Sequence, residues 1–234
     1  MEKFCCDQLR KFYVSTEALS KKGLKKDEAI LMVLRQYIVD SKAIVFGGNG
    51  YSDEWKKEAK KRGLSNITTT PLALDAFLSK KSIELFERNH VYSHRELEAR
   101  HEIMLETYIK KIQIESRVMT NLAINHIIPA AIRYQNSLLE NINGMKNAGI
   151  GKESYTTQLE MIKEVSAHIK VIKENADEMV EARKKANAIV DIRQRAINYC
   201  DKVKTYFDII RYEVDKLELI VDDELWPYRN IGRW

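Results

Sequence analysis

From Ser93 to Met145 the chain has no glycine until Gly144 and a single proline, Pro129. Apolar residues recur at Leu97, Met104, Tyr108, Ile112, Met119 and Leu122. Those spacings, built from threes and fours, describe one face of a helix. Ser93 is followed three residues later by Glu96, the pattern of a capping box, so the start of the helix is marked too. At 1.5 Å per residue a straight rod of this length spans roughly 75 Å. Such a rod gains most of its stability by packing its apolar stripe, so the remainder of the chain has to supply partners.

It does so with two further seams. Tyr155, Leu159, Ile162, Val165, Ile169, Ile172, Ala176 and Met179 alternate spacings of three and four, as in a coiled-coil seam. Ile189, Ile192, Ala196, Tyr199, Val203, Phe207, Ile210, Val214, Leu217 and Val221 continue the pattern. No Gly or Pro separates the two, so residues 152–181 and 188–224 read either as one helix or as two that fold back, the second being more compact. Three Pro and nine Gly in 234 residues leave little room for a turn-rich β architecture. The fold class read here is all-α. Long antiparallel helices form a three-helix, coiled-coil-like bundle, preceded by a small module of short helices.

Residues 4–21 form a helix closed by Gly23. Asp27 caps a second, carrying Ala29, Ile30, Val33, Leu34, Tyr37 and Ile38 along one stripe. Ala43 to Phe46 is a short β-branched run. Gly47, Gly48 and Gly50 follow, and then a helix starts at the N-cap Ser52. Strand, glycines and helix invite a phosphate-loop reading. The segment fits neither GxxxxGK[ST] nor GxGxxG, and Asp53 and Glu54 would repel a phosphate, so it reads as a tight turn. Thr70 and Pro71 start a third short helix, and Ser82 to Glu87 is another. Pro129 predicts a kink at 125–129, with helix to about Asn143 and a loop at Gly144, Gly149 and Gly151. The organisation is thus a helical pair at 1–42, a compact module at 43–92, the long-helix bundle at 93–228 and a tail at 229–234.

No residue pattern carries catalysis or a metal. Glu98 and His101 make one E-x-x-H pair, but a second is missing because Glu164 and His168 are one residue too far apart, so a metal-binding bundle is a minor reading. His126 sits beside the predicted kink, where it would satisfy freed carbonyls. His90, His94 and His168 lie in charged surroundings without a partner pattern. Cys5, Cys6 and Cys200 are no disulfide framework and read as reduced thiols, Cys200 on a buried helix face. The +5 net charge, from 39 basic and 34 acidic residues, is interspersed, which argues against a nucleic-acid partner. No apolar run approaches the ~18 residues that span a bilayer, so no membrane partner and a cytoplasmic location are expected.

Two stretches resemble a known family. The first runs Phe46-Gly47-Gly48-Asn49-Gly50-Tyr51-Ser52-Asp53-Glu54-Trp55, then Glu58-Ala59, Arg62-Gly63-Leu64 and Thr69-Thr70-Pro71. The second is Leu85-Phe86-Glu87, Glu96 to Ile103, Tyr108, Ile114-Glu115 and Ile128-Pro129-Ala130-Ala131, and Trp226-Pro227-Tyr228 follows near the end. Together they resemble the C-terminal region of type III glutamine synthetases, over about residues 30–228. The resemblance implies a part of an enzyme that joins ammonia to glutamate with ATP and Mg or Mn, as a cytoplasmic homo-oligomer. It also implies that residues 4–40 match the last helices of the catalytic domain. No position here matches that family's metal-binding glutamates or substrate-binding arginines. No catalytic, cofactor or metal residue is therefore assigned, and this chain alone is not expected to be catalytic. The implied partners are the catalytic body and neighbouring subunits, and the implied role is subunit packing or assembly. The alternative is a free-standing helical interaction module derived from that extension. Gly47 departs from the family's Asn, and the residues after Tyr228 depart from its continuation. Fragment, split gene product and decayed copy stand as three open explanations.

Overall fold

Helices form the regular structure of residues 2–228, which the computed structural model describes, with side chains from Asp7 onward except Ala43; no strand occurs among them. The 229–234 tail and its departures from the family pattern, and the Cys5 and Cys6 side chains, lie outside the described residues. The chain divides into two compact units, residues 1–101 and 102–234.

In the first unit α1 (Glu2–Ser20) and α2 (Lys26–Ser41) pack as a pair. Gly23 turns the chain between them at φ +97°, a conformation that glycine adopts without strain. Thr16, Ala29 and Val33 are buried between the helices, and the Phe12 and Tyr37 rings meet edge-on at 6.0 Å. The sequence places the α2 cap at Asp27. Instead Lys25 occupies that position without a side-chain bond, and Asp27 lies in the first turn, where its charge favours the helix dipole. Residues 43–46 are not a strand, because the chain forms a 3-10 turn at Lys42–Ile44 and has no neighbouring strand to pair with. Phe46 folds onto Trp55, with ring centroids 4.5 Å apart, and the Arg62 guanidinium donates to the Val45 carbonyl at 2.5 Å. A Cβ on Gly48 would come within 2.7 Å of the Phe46 ring, so glycine is what lets the ring fold back.

Ser52 caps α3 (Asp53–Lys61), accepting from the Trp55 N–H at 3.2 Å as expected. Thr69 rather than Thr70 takes the cap position of α4 (Thr70–Leu74), without a side-chain bond. Pro71 sits in the first turn, where its missing N–H costs nothing. Ser79 caps α5 (Lys80–Arg88). The rings of Phe77, Phe86 and Tyr92 form a row, at 6.2 and 5.5 Å.

The capping box at the start of α6 (His94–Leu122) is formed as the sequence predicts. The Ser93 N–H donates to Glu96 Oε2 at 2.8 Å, and the Glu96 N–H donates to Ser93 Oγ at 3.4 Å. These bonds from the Ser93 backbone and hydroxyl hold the Glu96 carboxyl below the usual glutamate range. A depressed carboxyl stabilises above its unfolded pKa and loses that contribution as pH falls through its folded value. Glu96→Gln should therefore flatten the acid side of a urea-midpoint profile against pH, and Ser93→Ala should cost about 1 kcal/mol in the same measurement.

In the second unit, α6 continues through a π-turn at Ala123–Ile127 into α7 (Ile128–Asn147). The sequence places a kink here. The observed form is one inserted residue, with the Ile128 N–H reaching back to Ala123, and Pro129 falls in the first turn of α7. α7 runs on past Gly144 to Asn147, so Gly144 is helical and not part of the loop; Gly149, at φ +77°, makes the turn. The Ile150 N–H closes on the Met145 carbonyl at 3.0 Å, completing the cap.

A 3-10 turn at Lys152–Tyr155 leads into α8 (Thr156–Asn187). Gln135 donates to Ser166 Oγ at 2.7 Å, Asn141 to Gln158 at 3.0 Å and Gln113 to Asn187 at 3.2 Å. Partner numbers fall along one helix as they rise along the other, so the packing is antiparallel. The chain then breaks at 188–191 and returns as α9 (Ile192–Asn198), a second π-turn at Tyr199–Val203 and α10 (Thr205–Ile220). The two-helix alternative is thus the one adopted. Asp191 caps α9 by accepting the Gln194 N–H at 2.6 Å, so Ile189, placed by the sequence in the third seam, lies in the connection. Of the remaining seam positions about half are fully buried, while Leu159, Ile162, Ile169, Ile192, Phe207 and Val214 are half-buried at the edges. Val165, Ile172, Ala176 and Met179 face Ala196, Tyr199, Val203, Ile210 and Leu217, all at 0–1 % exposure. α8 and α10 form the most extensive helix pair.

Candidate functional site

Of the α6 stripe read from the sequence, Leu97 and Ile112 are buried and the other positions only half-buried. Leu97, His101, Leu105, Ile109, Ile112 and Ser116 are the buried positions, while Met104, Tyr108, Met119 and Leu122 are half-buried. The Ser116 hydroxyl is satisfied by donation to the Gln113 carbonyl at 2.9 Å. A buried His and Ser masked the stripe, since neither counts as apolar. His101 is 7 % exposed and its Nε2 lies 3.3 Å from Asp75 Oδ1. It is a core-edge residue with a carboxylate partner. Glu98, its partner in the E-x-x-H pattern, lies 3.6 Å from His94 instead. Among the described residues no three His, Cys, Asp or Glu side chains converge as metal ligands do.

His126 does not take the expected kink-satisfying place. It is exposed, and its ring lies 6.1 Å from that of Tyr228. Trp226, buried at 8 %, and Tyr228 close one end of an apolar groove of about 850 Å³. Its other walls include Met119, Ala123, Ile127 and Val214.

His168, read as having no partner pattern, has one across the bundle: its Nδ1 lies 2.5 Å from Glu213 Oε2, and its Nε2 lies 4.0 Å from Glu164. A partner 45 residues away leaves no local signature. Cys200 is half-buried and hydrogen-bonded with Tyr108. Burial, then the Cys200 bond and the nearby Asp201 and Glu115 charges, push the Tyr108 hydroxyl well above the usual tyrosine range.

In the first unit the outer faces of α1 and α2 carry exposed apolar side chains. Leu31, Leu34 and Ile38 run along α2 with spacings of three and four, flanked by Met32 and Val39. They are 43–70 % exposed. On α1, Leu9, Tyr13 and Val14 are 58–66 % exposed. The sequence assigns Leu34 and Ile38 to one stripe with Ala29 and Val33. The pair buries only the Ala29–Val33 side, so α2 is apolar on two faces.

Comparison with known proteins adds the rest. A model of the family described as glutamine synthetase C-terminal domain matches residues 29–146. A glutamine synthetase of Bacteroides fragilis (strain YCH46) is 42% identical over 232 residues, 96% of this chain and 32% of that protein. A type-3 glutamine synthetase of Dictyostelium discoideum is 29% identical over 210 residues, 86% of this chain and 28% of that protein. A glutamine synthetase of Butyrivibrio fibrisolvens is 29% identical over 210 residues, 90% of this chain and 30% of that protein. The chain spans about a third of the length of the curated relatives it matches.

Proposed function

We propose, since this chain belongs to the glutamine synthetase C-terminal domain family, that it works as the helical extension of a type III synthetase and docks onto the catalytic body through α1 and α2. The observation that carries this reading is the second apolar face of α2, which α1 leaves uncovered. Hydrophobic burial at ~25 cal/mol per Å² makes such a face costly to leave in water. The bundle of the second unit then serves subunit packing within a homo-oligomer, in the cytoplasm. No helix among the described residues is long and apolar enough to cross a membrane.

The reaction assigned to the whole enzyme is ATP-dependent ligation of ammonia to glutamate. ATP and a divalent metal would supply phosphoryl activation; among the described residues no three ligating side chains converge to hold that metal. We assign catalysis to the part of the synthetase that this chain, about a third of the relatives' length, does not span. The test is deletion, from the Bacteroides fragilis relative, of the region matching this chain. Loss of the native oligomer by sedimentation, with loss of glutamine formation, is the expected result. Unchanged assembly and activity would overturn the role.

A further inference from the structure

Where α6, the end of α8 and α9 meet, three polar side chains close on one another. The Asn187 amide oxygen accepts from Gln113 at 3.2 Å and from the Tyr199 hydroxyl at 2.7 Å. Tyr199 is fully buried and also bonded to Gln113. Each member has an arginine four residues away in sequence: Arg117 after Gln113 on α6, Arg183 before Asn187 on α8, and Arg195 of α9 before Tyr199, which opens the second π-turn. Residues four apart on a helix share a face, with Cβ atoms roughly 5–6 Å apart, so the three arginines flank the network on its own faces. All three act electrostatically on the Tyr199 phenol, opposing the effect of its burial.

These positive charges are poorly compensated. Arg117 and Arg183 have no carboxylate at ion-pair distance among the described residues. Arg195 is anchored by donating from Nε to the Ile189 carbonyl at 2.7 Å, and from Nη2 to that of Val190 at 3.3 Å. The nearby acids are engaged elsewhere: Glu181 with Lys184 at 2.7 Å, Glu178 with Tyr206, and Asp191 with the α9 N-terminus. The carboxylates of Glu115 and Asp201 act instead on Tyr108.

We propose that Arg117, Arg183 and Arg195, placed one turn from the members of the Gln113–Asn187–Tyr199 network, bind a phosphoryl dianion. Guanidinium forks match the oxygens of phosphate bidentately, which a compact ammonium does not. Two sources share this chemistry, free phosphate and the terminal phosphate of a small metabolite, and the test separates them. The whole chain is titrated calorimetrically with inorganic phosphate and, separately, with AMP, at an ionic strength matched with chloride. Saturable binding by at least one is expected, and the tighter identifies the source. Arg117→Gln with Arg183→Gln should weaken it at least tenfold at unchanged helicity; neither side chain is buried, so both substitutions are compatible with folding. Lys163→Gln with Lys170→Gln removes the same charge from α8 about 20 Å or more away and should leave binding intact. No saturable binding to either probe, or equal weakening by the two double variants, would overturn the site.

Discussion

Ile38→Glu lowers the affinity of this chain for the preceding portion of a glutamine synthetase by about 30- to 100-fold and leaves the chain's own thermal midpoint unchanged. Ile38 is 70 % exposed and touches the face that α1 leaves bare. In the isolated chain its replacement is a surface change, within about 0.5 kcal/mol. In the docked enzyme it would put a carboxylate where an apolar side chain was buried, a loss of about 2–3 kcal/mol at 1.4 kcal/mol per tenfold. Sedimentation of the chain mixed with the separately produced portion of the Bacteroides fragilis relative reads the first effect, and differential scanning calorimetry reads the second. Lower stability with unchanged association would show that Ile38 belongs to the unit's own core.

Ile172→Ala reverses that pattern: it costs about 3 kcal/mol of stability and does not touch docking. Ile172 is fully buried in the α8 seam. Removing its side chain there loses transfer free energy and leaves a cavity that rigid helix neighbours cannot close. Ile169→Ala, on the same seam but half-buried, should cost clearly less. Urea midpoints of the two variants test this, and equal losses would mean that the α8–α10 seam is looser than described.

The two seams of residues 152–221 were legible in their central positions, because alternating threes and fours point one face of each helix at its partner, while Leu159, Ile162, Ile169, Ile192, Phe207 and Val214 lie half-buried at the edges. Buried Val165, Ile172, Met179, Ile210 and Leu217 are the residues the periodicity names. The α6 stripe was harder, because His101 and Ser116 sit in it as polar residues with local or carboxylate partners. The second π-turn left a single trace, the doubled spacing of four at Tyr199, Val203 and Phe207, and there is no proline to announce it. The return at 188–191 had no Gly or Pro either; a capping aspartate alone makes it. His168 and Glu213, and the Gln113–Asn187–Tyr199 network, join residues 12 to 74 apart. Only the antiparallel register brings them together. The exposed face of α2 was hidden for the opposite reason. Its helix is apolar most of the way round, so periodicity could not say which side the pair would bury.

The central claim, that α1 and α2 dock on the catalytic body, is tested most directly by a photo-crosslinking amino acid placed at position 38 of the chain in its source cells. Mass spectrometry of the product should identify peptides from the glutamine synthetase region that precedes this one in the relatives. Crosslinks only to unrelated proteins, or none above the level from an exposed control at Glu160 on α8, would contradict it.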